Sequence, residues 1–171
     1  NLLERKGFIE LVEGFDLAFG SKENVSLTII GEGEQRNELE QKIAQLRSKD
    51  RITLYGKASR REITNMLADY DAFALASRAE TFGMVYVEAL SAGLPILATD
   101  CGVPPNVVND ICGVMVPNTQ DKSAICKGLK KIYDEYERYD SRQISEYAHS
   151  HFDISKTATH LNEVYKRTLS V

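Results

Sequence analysis

This 171-residue sequence has few cysteines and no long apolar run. The three cysteines, Cys101, Cys112 and Cys126, are odd in number and lack Cys-x-x-Cys spacing, so neither a disulfide framework nor a zinc site is expected. No run approaches the roughly 18 apolar residues of a membrane helix, and no stretch near the start resembles a signal peptide. We therefore expect free thiols and a cytoplasmic location, with peripheral membrane contact of the full-length protein still open.

Basic clusters are also scarce. The formal net charge is −4 at pH 7, and no run of lysine and arginine is interleaved with aromatic residues, so no nucleic-acid partner is expected. The pair Arg60 and Arg61 is more typical of a solvated surface than of a binding site. Without an internal repeat or a low-complexity tract, the length predicts one domain over residues 1–171 that can bury a sizeable core.

Short runs of β-branched residues alternate with helical patterns along the chain. The predicted strands cover residues 25–30, 51–55, 72–76, 95–98 and 113–116. Helical periodicity is found over residues 8–19, 39–46, 59–67 and 83–93. Ser59 and Glu62 form a capping box at the start of the third of these helices. The first helix has one apolar stripe, formed by Phe8, Leu11, Val12, Phe15 and Phe19. This alternation predicts an α/β fold, a parallel sheet with helices on both faces. In such a sheet a ligand lies beyond the carboxyl ends of the strands, where the loops at Gly31, Gly56 and Ser77–Gly83 fall.

The part of the chain after Asp121 is predicted to be a helical C-terminal tail. One apolar stripe at helical spacing consists of Ile125, Leu129, Ile132 and Tyr136, and a second consists of Leu161, Val164 and Tyr165. His149 and His151 lie in this tail without a third metal ligand nearby, so we expect them to be solvated.

Two carboxylates, Glu80 and Glu88, stand on either side of a Phe-Gly step that follows the predicted strand at residues 72–76. A helix starting near Gly83 would place Glu80 in the loop before it and Glu88 about 7 Å along its axis. The free N–H groups and positive dipole end of such a helix form an anion site. This layout suits a ligand with a central diphosphate and hydroxyl-rich ends, such as a nucleotide-sugar. Glutamates near a helix start are also common without any function, because carboxylates favour the first turn.

The residues around these glutamates carry a longer pattern. The run from Ser77 to Thr99 contains Ser-x-x-Glu-x-Phe-Gly, then Glu88 followed by Ala89, and a Gly-x-Pro step at Gly93. This order resembles the signature of the retaining glycosyltransferases of GT-B fold, a family that includes sucrose synthases and bacterial mannosyltransferases. The resemblance covers essentially the whole chain and matches the C-terminal, donor-binding half of these enzymes. It implies a Rossmann-like domain, one half of a GT-B fold, from a sugar transferase of glycan, lipopolysaccharide or capsule synthesis.

The resemblance also implies roles for individual residues. Glu80, the catalytic candidate, would orient the transferred hexose, and Glu88 would hold the ribose hydroxyls of a UDP- or GDP-linked donor. Lys6, in the Lys-Gly pair before the first helix, would contact the diphosphate, and Arg5 beside it could substitute for an arginine that the family carries further upstream. The other donor-binding candidates are Phe82, Gly83, Met84 and Val85 at the helix start and Lys57 in the loop that carries the base. No metal ion and no cofactor are implied.

Several positions depart from the family pattern. Asn1 is the nearest candidate for the upstream arginine, and Pro105 replaces the glutamate of the family's Gly-Gly-x-Pro-Glu loop, which begins here near Cys101. The first strand of the family's sheet, which precedes the Lys-Gly pair, is absent, as is the acceptor-binding domain. The resemblance therefore implies a fragment of a longer two-domain enzyme, with the missing N-terminal acceptor domain as its partner.

Two functions from different classes remain open. The first is the donor-binding domain of a retaining glycosyltransferase, and the second is a non-catalytic nucleotide-binding or interaction module. A dinucleotide fingerprint at Gly31 and Gly33 is discounted because Arg36 replaces its third glycine. The run Asp69–Asp71 resembles a metal-binding Asp-x-Asp, but its position between a helix and a strand is typical of a turn.

Overall fold

The computed structural model describes residues 1–80, 83–102, 107–118 and 121–152. The helices are α1 (Phe8–Phe19), α2 (Arg36–Ala44), α3 (Arg60–Leu67), α4 (Met84–Ser91), α5 (Lys122–Asp134) and α6 (Ser141–Phe152). The strands are β1 (Leu27–Ile30), β2 (Ile52–Gly56), β3 (Phe73–Leu75), β4 (Ile96–Asp100) and β5 (Gly113–Pro117). Short 3₁₀ turns cover Glu4–Lys6, Lys49–Arg51 and Tyr136–Arg138. The predictions for Phe82, for the loop at residues 103–105 and for the stripe from Leu161 to Tyr165 lie outside the described residues.

All strand pairs among the described residues are parallel, as predicted. β1 pairs with β2, and β4 lies between β3 and β5, so the strands form one two-stranded and one three-stranded sheet rather than a single continuous one. β1 begins at Leu27 and not at the predicted Val25. The carbonyl of Val25 instead accepts a hydrogen bond of 2.7 Å from Nη1 of Arg51, so a side chain replaces the strand neighbour there.

The middle strand of the larger sheet is buried on both sides. Ile96, Leu97 and Ala98 of β4 are all fully buried. A Cβ atom at Gly128 of α5 would lie 2.6 Å from Cδ1 of Leu97, so α5 covers the face to which Leu97 points. Ile96 and Ala98 point to the opposite face because side chains alternate along a strand, and that face is covered as well. The sheet is therefore an internal layer, as predicted for parallel strands.

Two helices match the sequence predictions closely. α1 has the predicted bounds, and its predicted stripe of Phe8, Leu11, Val12, Phe15 and Phe19 is buried. α3 begins with the predicted capping box, in which Ser59 Oγ accepts from the Glu62 N–H over 3.3 Å and the Glu62 carboxylate accepts from the Ser59 N–H over 2.7 Å. These reciprocal bonds satisfy two N–H groups that a helix start leaves open.

Over residues 121–152 the predicted helical tail is present, but its first stripe is wrong at one position. α5 ends at Asp134, and Tyr136 lies in the following 3₁₀ turn with 42% of its surface exposed. A new helix, α6, then begins after Asp140, whose Oδ1 caps it by accepting hydrogen bonds from the N–H groups of Arg142 and Gln143. Similarly, α2 ends at Ala44, before the predicted Leu46.

Candidate functional site

The start of α4 depends on the absence of a side chain at Gly83. This residue has φ +74° and ψ +50°, a left-handed conformation that favours glycine. A Cβ atom there would lie 2.4 Å from Cδ2 of Tyr86, whose ring is fully buried. Burial raises the pKa of Tyr86 well above its usual range, and its hydroxyl donates to the carbonyl of Leu75 over 3.4 Å. Helix α4 therefore begins directly after Gly83, at the end of the loop that contains Glu80, as predicted.

A second glycine brings the 3₁₀ turn at Glu4–Lys6 against the end of β3. Gly7 has φ +66°, and a Cβ atom there would lie 1.9 Å from the carbonyl oxygen of Ala76. This close approach carries Lys6 to the loop that follows β3, where its Nζ forms an ion pair with Oε2 of Glu80. The two side chains are only 17% and 11% exposed. The structure thus joins two of the predicted site residues that are 74 positions apart in the sequence.

Glu80 has further partners at the carboxyl ends of β3 and β4. Ser77 Oγ, which is buried, donates to the same Oε2 atom over 3.4 Å. The backbone N–H of Glu80 donates to the carbonyl of Cys101 over 3.1 Å, in the segment that follows β4. Gly83 is also close, because a Cβ atom there would lie 3.4 Å from Cγ of Glu80. The carboxylate is therefore held at the edge of the sheet where a ligand was expected.

Arg78 is a residue of this loop that sequence reasoning missed. Its Nη1 donates to Oε1 of Glu4 over 2.6 Å, and its Nη2 donates to Oε1 of Glu10 over 2.7 Å. The hydrogen bond to Glu10 is the main cause of a raised pKa of the guanidinium. Its backbone N–H donates to the carbonyl of Arg5 over 2.7 Å, and its carbonyl accepts from Nδ2 of Asn118 over 2.8 Å. Arg78 therefore connects the 3₁₀ turn that contains Lys6 with the loop that contains Glu80, the catalytic candidate.

The second carboxylate of the pattern lies inside α4, as predicted. Oε1 of Glu88 accepts from Nη2 of Arg60 over 3.0 Å, with 30% of the Glu88 side chain and 79% of the Arg60 side chain exposed. Arg60 is the first residue of α3, directly after the Ser59 cap. The expectation that Arg60 belongs to the solvated surface is therefore incomplete, because it also forms an ion pair with a candidate ligand-binding residue.

The remaining candidates are exposed around this core. Met84 and Val85, in the first turn of α4, are 52% and 39% exposed. Arg5 and Lys57 are exposed too, and neither side chain forms an ion pair within the described part of the chain. Lys57 follows β2 and precedes the α3 cap, so it lies on the same chain segment as the arginine that pairs with Glu88.

The discounted motifs have structural explanations. Gly33 is needed for packing, since a Cβ atom there would lie 2.4 Å from the carbonyl oxygen of Leu2, and Arg36 forms ion pairs with Glu32 and Glu40 at 2.6 and 3.0 Å. Across residues 1–80, 83–102, 107–118 and 121–152, no cluster of three potential metal ligands is found. Over the same ranges no helix is long and apolar enough to span a membrane.

Comparison with known proteins identifies the family. The sequence pattern of the family described as "Glycosyl transferases group 1" matches residues 1–151. The chain belongs to this family. Among its relatives, the GtfA subunit of the UDP-N-acetylglucosamine–peptide N-acetylglucosaminyltransferase of Streptococcus parasanguinis is 26% identical over 147 residues, 82% of this chain and 28% of the relative. The D-inositol 3-phosphate glycosyltransferase of Mycolicibacterium smegmatis is 30% identical over 122 residues, which is 71% of this chain and 28% of the relative. The chain thus spans less than a third of the length of these curated relatives.

Solved structures show the same fold. Anabaena HepE in complex with UDP superposes with a TM-score of 0.86 at 20% identity, over 98% of this chain and 47% of that protein. Pneumococcal GtfA in complex with UDP and GlcNAc gives a TM-score of 0.80 at 22% identity, over 99% of this chain and 34% of that protein. The predicted Rossmann-like α/β fold of one half of a GT-B glycosyltransferase is therefore confirmed.

Proposed function

We propose that this chain is the donor-binding domain of a retaining glycosyltransferase that takes a sugar from a nucleoside-diphosphate sugar. The observation that carries the proposal is the pairing of Lys6 with Glu80 beside the start of α4, at the carboxyl ends of β3 and β4. This arrangement puts a cation, a helix N-terminus and a hydroxyl-accepting carboxylate within one site. Family membership supports the same conclusion.

In this proposal the diphosphate binds at the start of α4. The N–H groups of Gly83, Met84 and Val85 belong to the first turn, where the helix dipole favours an anion. Lys6 supplies the countercharge from the facing turn. The exposed side chains of Met84 and Val85 lie where a bound nucleotide would cover them, which gives these apolar groups a reason to be exposed.

The two carboxylates would bind the hydroxyl-rich ends of the donor. Glu80 orients the hexose, because it lies beside the cation that holds the diphosphate. Glu88, further along α4, accepts from the ribose hydroxyls, with Arg5 and Lys57 at the margin of the site. Relatives named for UDP-N-acetylglucosamine and for GDP-mannose support a UDP- or GDP-linked donor without deciding between them.

The reaction needs little more from these residues than binding and charge stabilisation. The bond from the anomeric carbon to the diphosphate oxygen breaks, and the acceptor oxygen bonds to that carbon on the same face. The acceptor proton passes to the leaving phosphate, whose developing charge is stabilised by Lys6 and the N–H groups of α4.

The acceptor would be held by a second domain of a longer enzyme, of which this chain forms one wall of the cleft. The division of the strands into two sheets supports the expectation that a further strand belongs between them. A cytoplasmic site of action in glycan, lipopolysaccharide or capsule synthesis, with peripheral membrane contact, fits a relative named for lipopolysaccharide core biosynthesis. The free thiols of Cys101, Cys112 and Cys126 support a reducing compartment.

Calorimetric titration with UDP, GDP and inorganic pyrophosphate tests the proposal. Lys6→Ala should weaken all three by about 1.5–3 kcal/mol, since it removes a charge-assisted contact to the diphosphate. The matched control is Lys130→Ala, which removes the same charge from an exposed position of α5. If the two variants bind these anions equally well, the diphosphate site has been placed wrongly.

A further inference from the structure

The partner of Lys6 within the protein is itself an anion. Glu80 is 11% exposed and Lys6 is 17% exposed, so solvent screens the interaction of these charges only weakly. Ser77 adds a hydroxyl donor to the same carboxylate oxygen at 3.4 Å, but no second cation contacts Glu80 within the described residues. Any anion that binds Lys6 must therefore share this cation with the carboxylate.

We propose that Glu80 is a specificity-determining residue that disfavours a sugar-free nucleoside diphosphate relative to the same nucleotide carrying a sugar. This inference rests on the proposed function, because it takes Lys6 and the start of α4 as the diphosphate site. It adds a selection against the nucleotide that the transfer reaction leaves behind.

The sign of the effect follows from charge. A diphosphate at Lys6 lies within a few ångström of the Glu80 carboxylate, and two like charges at that separation repel each other more strongly where water is scarce. The diphosphate also weakens the Lys6–Glu80 ion pair, and when ionised it carries no hydrogen-bond donor that could replace Lys6 at the carboxylate. Glu80 therefore lowers the affinity for UDP or GDP.

A sugar on the diphosphate changes this balance. Its hydroxyl groups can donate to the carboxylate, and hydrogen bonds to an ionised acceptor are about twice as strong as neutral ones. The carboxylate that repels the diphosphate is thus compensated by the hexose. A nucleotide-sugar therefore binds with hydrogen bonds from its hexose to Glu80. The nucleoside diphosphate that remains after transfer lacks these hydrogen bonds, so its release is favoured.

The test compares Glu80→Gln with the unaltered chain by calorimetry, using UDP, GDP, UDP-glucose, UDP-N-acetylglucosamine and GDP-mannose. The substitution keeps the side-chain shape and removes the charge. We expect UDP or GDP to bind roughly 3–10-fold more tightly to Glu80→Gln, and the matching nucleotide-sugar to bind about tenfold more weakly. Unchanged or weaker binding of the sugar-free nucleotide would overturn the inference, because Glu80 would then only hold Lys6 in place.

Glu13→Gln is the matched control. Glu13 also pairs with lysines, at 3.3 Å from Lys42 and from Lys122, but it lies on α1 and outside the site. It should change nucleotide affinity less than about twofold, because a distant charge is screened. Circular dichroism confirms that each variant is folded, and Glu80→Ala, which removes the same charge, replaces Glu80→Gln if that variant unfolds.

The outcomes separate this inference from the proposed function. If Lys6→Ala weakens UDP while Glu80→Gln fails to tighten it, the diphosphate site stands and the discrimination is refuted. If the unaltered chain binds none of the nucleotides, both conclusions fail together. Tighter UDP binding with weaker nucleotide-sugar binding supports the inference.

Discussion

Replacing Arg78 by alanine should destabilise the protein by about 2–3 kcal/mol. Its guanidinium bridges Glu4 and Glu10, and the environments of these two carboxylates differ. The Glu4 side chain is 73% exposed, so that pair contributes a few tenths of a kcal/mol at most. The Glu10 side chain is 14% exposed, and its carboxylate would lose the cation that compensates its burial. Most of the loss therefore comes from Glu10.

Urea unfolding followed by far-UV circular dichroism would measure this loss, since the sequence has no tryptophan to report by fluorescence. Arg142→Ala is the matched control, because it removes an arginine whose partner is Glu146 and whose pair is 88% and 67% exposed. We expect about 0.5 kcal/mol or less for that control.

An equal effect of Arg78→Ala and Arg142→Ala would refute the reasoning that the partly buried Arg78 bridge stabilises the fold. A second variant tests the mechanism directly. Adding Glu10→Gln to Arg78→Ala should restore part of the lost stability, because it removes the uncompensated carboxylate. If the double variant is less stable than Arg78→Ala alone, the loss does not arise from the Glu10 charge.

Two further predictions concern α1 and α4. Burial raises the pKa of Asp16, but hydrogen bonds from Ser48 outweigh this effect, so the net pKa is lowered. The carboxylate therefore stabilises the fold above about pH 4, and its contribution is lost as the pH falls. In urea titrations Asp16→Asn should lose about 1–2 kcal/mol of stability at pH 7 and less at pH 3, and a loss that does not depend on pH would contradict this. Gly83→Ala should lower the free energy of unfolding by about 1–3 kcal/mol more than Gly56→Ala does. Both glycines have positive φ, but of the two only Gly83 faces a buried ring, that of Tyr86. Equal losses in urea unfolding would contradict the predicted clash with this ring.

Local signals in the sequence were sufficient for part of the site. The Ser59 capping box and the start of α4 at Gly83 each depend on residues within a few positions, and both were predicted correctly. The bounds of α1 followed from its apolar stripe for the same reason. In each case the residues that form the contact also form the pattern.

The long-range contacts of the site could not be read from a pattern. Arg78 reaches Glu10 across 68 positions, and Arg60 reaches Glu88 across 28. A charged residue between Ser77 and Glu80 looks like any solvated loop residue until the fold brings the turn at Glu4–Lys6 beside it. The left-handed glycine at position 7 permits that approach, yet in the sequence it is only a glycine before a helix.

In the site proposed for the donor diphosphate, these contacts would couple the stability of the protein to the binding of the ligand. Lys6 reaches Glu80 because the turn that carries it is fastened to the β3–α4 loop by the side chain and backbone of Arg78. We expect disruption of this connection to open the loop while the sheet stays folded, so affinity should fall in variants that remain folded. A diphosphate bound as proposed, between Lys6 and the start of α4, would reinforce the same connection and would stabilise the folded state by RT ln(1 + L/Kd), where L is the free ligand concentration. In the proposed site we therefore expect Arg78 to affect ligand binding without contacting the ligand, by setting the distance between the turn at Glu4–Lys6 and the start of α4.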